Sequence, residues 1–66
     1  MSYYVIVDYK YSGIQVFDFY SSTHAKSFYD KIVNRGGGPV LSVALLDGSD
    51  APYMDVIEHY EWRETK

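Results

Sequence analysis

His24 and His59 belong to the residue type most used to move protons and to bind metals. Neither can act alone. A proton shuttle needs a carboxylate within reach, and one such as Asp55 could serve His59, which sits among Glu58, Tyr60 and Glu61 in sequence. A structural zinc site needs four ligands, and two histidines without any cysteine fall short. The lack of cysteine also removes thiolate nucleophiles and disulfides. Gly36-Gly37-Gly38 lacks the Lys-Ser/Thr of a phosphate loop and follows a helix-like segment instead of leading one. No serine sits in a nucleophile-elbow pattern. His24 therefore reads as an exposed first-turn residue and His59 as a solvated strand residue. No catalytic site, metal site or cofactor is expected.

The chemistry that remains is that of surfaces. Eight Tyr, three Phe and one Trp make up 18% of the chain. An aromatic sheet can stack bases, and Tyr3, Tyr9, Tyr11 and Tyr20 would form such a platform. Lys10 is the one cation near them, so nucleic acid is a poor fit. Tyrosine is equally the residue of protein interfaces, dry at one end and wet at the other. Charge is uneven. The net value is −3, and residues 47–66 hold six acidic side chains against two basic ones. That third of the chain repels phosphate backbones and suits a basic partner surface, or serves solubility alone. Asp50, Asp55, Glu58, Glu61 and Glu64 would imitate a row of phosphates only if they lined up. On a strand, Asp55, His59 and Glu61 share one side and Glu58 lies on the other, which breaks the row.

These residues must be positioned by one domain, residues 1–66. A chain this short buries only about 60% of its unfolded surface, so its stability leans on the aromatic rings or on an oligomer or partner. No stretch approaches the ~20 apolar residues of a membrane helix. The segment after Met1 has no basic or cleavable leader pattern, so the expected location is cytoplasmic.

Tyr3 to Tyr11 alternates as a strand, Ser12-Gly13 makes a turn, and Ile14 to Tyr20 returns. A two-residue loop pairs Tyr11 with Ile14, Tyr9 with Val16, Val7 with Asp18 and Val5 with Tyr20. It sets Ile6 against Phe19 and Asp8 against Phe17. Ser21 and Ser22 are N-cap candidates. Ala25, Phe28, Tyr29, Ile32 and Val33 then follow the spacing of one helical face. Arg35 suits the helix C-terminus, the three glycines end the helix, and Pro39 forbids its continuation. Val40 to Leu46 is a short apolar strand, and Asp47-Gly48-Ser49-Asp50 is turn chemistry. Tyr53 to Trp62 admits two readings. A helix aligns Tyr53, Val56, Ile57 and Tyr60, with Pro52 in its first turn. A strand puts Met54, Val56, Tyr60 and Trp62 on one side, and the β-branched and aromatic content favours it.

The expected fold is α+β, ββαββ, a four-stranded antiparallel sheet of order 2-1-3-4 with one helix on one face. Phe17 and Phe19, with Tyr4, Ile6, Leu41, Val43 and Leu45, are expected under the helix. Tyr3, Val5, Val7, Tyr9, Tyr11, Ile14, Val16 and Tyr20 are expected on the open face. Two layers of this size leave little room for a ligand pocket of ~300 Å³ or more.

Small size, this strand pattern, the lack of cysteine and the helix start Ser21-Ser22-Thr23-His24-Ala25-Lys26 resemble the small cytosolic inhibitors made by bacteriophages. Among them are anti-CRISPR proteins of the one-helix, antiparallel-sheet type. The resemblance covers most of the chain as architecture and carries over no functional residue. This chain departs from the basic members of that group, which bind through lysine and arginine. What the resemblance implies is a role by binding and obstruction, without turnover. The expected function is a non-enzymatic protein-interaction module. Its candidate surface is the surplus tyrosines, Tyr3, Tyr9, Tyr11 and Tyr20, or the acidic residues Asp55, Glu58 and Glu61. The expected partner is another protein or a second copy. No membrane is expected.

Overall fold

The computed structural model describes residues 2–49 and 53–62. The described residues form β1 (Tyr3–Tyr9), β2 (Gly13–Phe19), α1 (Ser22–Arg35), β3 (Val40–Asp47) and β4 (Asp55–Glu61). The sheet order is β2-β1-β3-β4 and every pair is antiparallel. This is the expected α+β fold, and the last segment is a strand. Asp50 and Pro52, read above as turn and first-turn residues, lie outside the described residues, as do Arg63, Glu64 and Lys66.

The helix begins where its chemistry says it should. Ser21 has extended backbone angles, and its Oγ accepts from the N–H groups of Thr23 and His24 at 3.1 and 3.4 Å. At the other end Gly36 takes φ +88, a left-handed value that costs glycine nothing, and its N–H donates to the Val33 carbonyl. Ala25 and Tyr29 are buried against Val5, Val7, Val43 and Leu45, and Phe28, Ile32 and Val33 pack beside them. Phe28 also meets Phe17 and Phe19, with ring centroids 4.9 and 5.5 Å apart.

β1 turns its other side to the helix from the one expected. The observed ladder pairs Tyr3 with Phe19, Val5 with Phe17, Val7 with Gln15 and Tyr9 with Gly13. Lys10, Tyr11 and Ser12 form the connection, one residue more than a two-residue loop, and Gly13 follows at φ +86. The register moves by an odd number of positions, and an odd slip exchanges the faces of one strand relative to the other. Val5 and Val7 now share the helix side with Phe17 and Phe19, and Asp18 no longer faces Val7. Pairing an acid with a buried valine would have desolvated its carboxylate without compensation. Tyr3, Val5, Val7 and Tyr9 therefore lie on the covered side, and Tyr4 and Ile6 on the open side.

Two strand irregularities complete the correction. Asp8 faces Ser42 while Tyr9 faces Val40, so Leu41 is an extra residue in β3. Such a bulge bends the strand and turns its extra side chain away from the ladder pattern. Leu41 is exposed and not part of the core, contrary to expectation. In β4, Leu45 faces Glu58 and Leu46 faces Val56, leaving Ile57 as the extra residue. Val56 consequently leaves the side of Tyr60 and Trp62. Trp62 joins the core margin: its N–H donates to the Leu41 carbonyl at 3.0 Å, and its ring meets Tyr60 edge-on at 4.9 Å.

Candidate interaction surface

The ladders array the open face in three rows across β2, β1, β3 and β4. The first is Asp18, Tyr4, Leu46, Val56. The second is Val16, Ile6, Ala44, His59. The third is Ile14, Asp8, Ser42, Glu61. The centre and most of one flank are apolar. The carboxylates stand at one corner, Asp18, and along one end, Asp8 and Glu61. Among the described residues no lysine or arginine occupies a position in these rows. Val16 and Ile14 on β2, and Val56 on β4, are more than half exposed, at 59%, 67% and 57%. Water thus reaches apolar side chains at both edges of the face, where an ordinary one-sided sheet turns polar.

One feature makes this face close-packed at its upper end. The Tyr4 ring lies against Gly48, where a Cβ would fall 2.7 Å from Tyr4 Cε2. The turn itself is held by the Gly48 N–H on the Ser2 carbonyl and by the Ser49 N–H on Asp47 Oδ1 at 2.9 Å. Hydrogen bonding from Ser49, its side chain first and its backbone N–H second, holds the Asp47 carboxyl below the usual carboxylate range.

The residues singled out in the sequence are dispersed by this arrangement. Tyr3 and Tyr9 are half-buried on the helix side. Tyr11, in the β1–β2 connection, and Tyr20, just after β2, are each 84% exposed. Lys10 Nζ stands 5.8 Å from the Tyr11 ring centre. Asp55 pairs with Asp47 on the side of Tyr3, whereas His59 and Glu61 belong to the open face. Asp55 and His59 are therefore on opposite sides, which corrects the side shared by Asp55, His59 and Glu61 above. Glu58 turns to the helix and meets Lys26 Nζ at 2.5 Å, and Lys26 also meets Asp30 at 3.2 Å. Both carboxylates, chiefly Glu58, raise the Lys26 pKa. The acidic residues do not form a row. Among the described residues no cluster of His, Asp and Glu is arranged to hold a metal ion.

A cleft of about 330 Å³ does exist, larger than the architecture was expected to hold. Tyr9, Ile32, Arg35 and Val40 line it with the Gly36–Pro39 backbone. It contains a guanidinium and a phenol, but no carboxylate, imidazole or other nucleophile. No helix among the described residues is long and apolar enough to cross a membrane. Comparison with known protein families, curated proteins and solved structures finds no match to this chain.

Of the open-face residues, Ile14 and Val16 were legible in the sequence as uncovered. Tyr4, Ile6, Ala44, Leu46 and Val56 were not. β1 is apolar on both sides, and the bulge that redirects Val56 involves no glycine or proline to announce it.

Proposed function

We propose that the chain is a non-enzymatic binding module whose open sheet face docks on another protein. The observation that carries this reading is the layout of that face: an apolar centre, three carboxylates at its margin, and no cation among the described rows. A complementary surface is apolar in the middle and basic at its rim, because opposite potentials steer and register an encounter. A single-stranded nucleic acid is the weaker reading, since the face offers one aromatic ring, Tyr4, and the wrong charge. With the resemblance to small phage inhibitors, the favoured target is a basic surface that otherwise holds a nucleic acid in a host complex, and the mode of action is obstruction. This reading carries a cytoplasmic location, that of the host if the source is viral.

The test places a photo-crosslinking side chain at His59, on the open face, or at Ser27, on the outer side of α1. Adducts in cell lysate are expected from position 59, weakening as salt rises and vanishing with Ala44→Arg, which sets a cation in the apolar centre. Adducts from position 27 alone, or adducts at 59 that survive Ala44→Arg, would show that the open face is not the docking surface.

A further inference from the structure

The two edges of this sheet are not alike. β4 is protected as sheet edges usually are, by a bulge at Ile57 and by Asp55, Glu58 and Glu61. β2 has no bulge and a single acid. Its seven residues, Gly-Ile-Gln-Val-Phe-Asp-Phe, pair with β1 without a register shift and include no proline, no lysine, no arginine and one acid. An edge of this kind presents unpaired backbone N–H and C=O groups to any strand that can lie beside it.

We propose that β2 is the seam of a symmetric dimer, in which a second copy of the chain adds its own β2 antiparallel to make one eight-stranded sheet. The sequence of β2 is complementary to itself in this arrangement. Val16 is the midpoint of Gly13–Phe19. Placing the two-fold axis there pairs all seven residues: Val16 with Val16, Gln15 with Phe17, Ile14 with Asp18, and Gly13 with Phe19. No carboxylate faces another, and a β-branched pair lies on the axis, a favourable cross-strand contact. Isologous pairing of this kind is the commonest way identical chains associate.

Two further features agree. Tyr11 and Tyr20, the two most exposed aromatics, stand just beyond opposite ends of β2. The two-fold brings Tyr11 of one copy to the end where Tyr20 of the other emerges, so tyrosines bracket both ends of the seam. The helices leave room. The two copies of β1 would be three strand spacings apart, about 14 Å, which exceeds the 10–12 Å diameter of a helix.

The chain has no cysteine, which makes the register directly testable. Sedimentation at micromolar concentration is expected to give twice the 7.6 kDa chain mass. Val16→Lys, setting two like charges face to face, is expected to weaken the dimer by about tenfold or more with the circular dichroism unchanged. Under mild oxidation Val16→Cys is expected to form a covalent dimer. Ile14→Cys is not, because its two copies lie about 13 Å apart along the seam, beyond disulfide reach. A chain that remains monomeric at every concentration overturns the proposal. So does crosslinking of Ile14→Cys as fast as Val16→Cys, or a dimer crosslinked through Ala44→Cys, which would mean stacked faces. Ala44→Arg is expected to leave the edge-paired dimer intact, so loss of partner binding and loss of dimerisation are read separately.

Discussion

Lys26 Nζ lies 2.5 Å from Glu58 Oε2, across 32 residues of sequence, and so ties the first turns of α1 to the outermost strand, β4. Both side chains are about two-fifths exposed, so this contact is an orienting one more than a source of stability. It matters because α1 packs on β1, β2 and β3, while the β4 residues of the open face depend on β4 keeping its register.

The contact predicts an alkaline weakness. The Lys26 pKa is raised above 10.5, with the hydrogen bond to Glu58 as the largest cause. The fold therefore holds that proton more tightly than the unfolded chain does. The resulting stability is complete below 10.5 and is lost as pH rises through the folded value. Tyr29 acts in the same direction. Burial, then the charge of Glu58, pushes its phenol above 10.0, so the neutral form favours the fold. The urea midpoint is expected to be flat from neutrality to about pH 9 and to fall beyond about pH 10. Glu58→Gln should shrink that fall. A midpoint rising between these values would contradict the assignment.

The split between the helix-covered and open sides of the sheet predicts which truncations destabilise the chain. Leu45 lies in the core cluster with Val5 and Val7, and Leu45→Ala is expected to cost about 2–4 kcal/mol. That is a large share of what a domain of this size has, so the variant should melt far below the parent. Ile14→Ser, on the open face, is expected to stay within about 0.5 kcal/mol of the parent. Thermal melts followed by circular dichroism would show the contrast. A larger loss from Ile14→Ser than from Leu45→Ala would show that the helix covers the other side of the sheet.

This contrast also explains what was legible beforehand. The helix face announced itself because Ala25, Phe28, Tyr29, Ile32 and Val33 recur with helical spacing against a polar background. The strand order followed from β1 being apolar on both sides, which marks an interior strand. That same property hid its orientation. Tyr3, Val5, Val7 and Tyr9 satisfy a buried pattern no better than Tyr4 and Ile6 do, so only loop length decides, and Ser12-Gly13 allows more than one. The bulges at Leu41 and Ile57 had no marker residue. Tyr11 and Tyr20, expected as members of the open face, are exposed but stand beyond the two ends of β2.

The helix start separates two adjacent serines. Ser21 Oγ receives the N–H groups of Thr23 and His24, and Ser22 is already helical. Ser21→Ala is expected to lower stability by about 1 kcal/mol, and Ser22→Ala to change it little or raise it slightly, since alanine is the better helix former. Equal losses at both positions would place the cap one residue later.

Gly48 and Tyr4 are coupled at the upper end of the open face. Gly48 can carry no side chain while the Tyr4 ring stays where it is, because a Cβ would lie 2.7 Å from Cε2 and 3.3 Å from Cδ2. Gly48→Ala must therefore displace the ring, and with it the apolar row that continues through Leu46 to Val56. The expected cost is about 1–3 kcal/mol, as for other overpacked sites. Tyr4→Ala removes the clash, so the double variant should be more stable than the sum of the two single losses predicts, with a coupling of at least about 0.5 kcal/mol. Denaturant titration of the four proteins measures this directly. Strict additivity would mean that the ring does not pack on the turn, and that the first row of the open face is arranged by the strands alone.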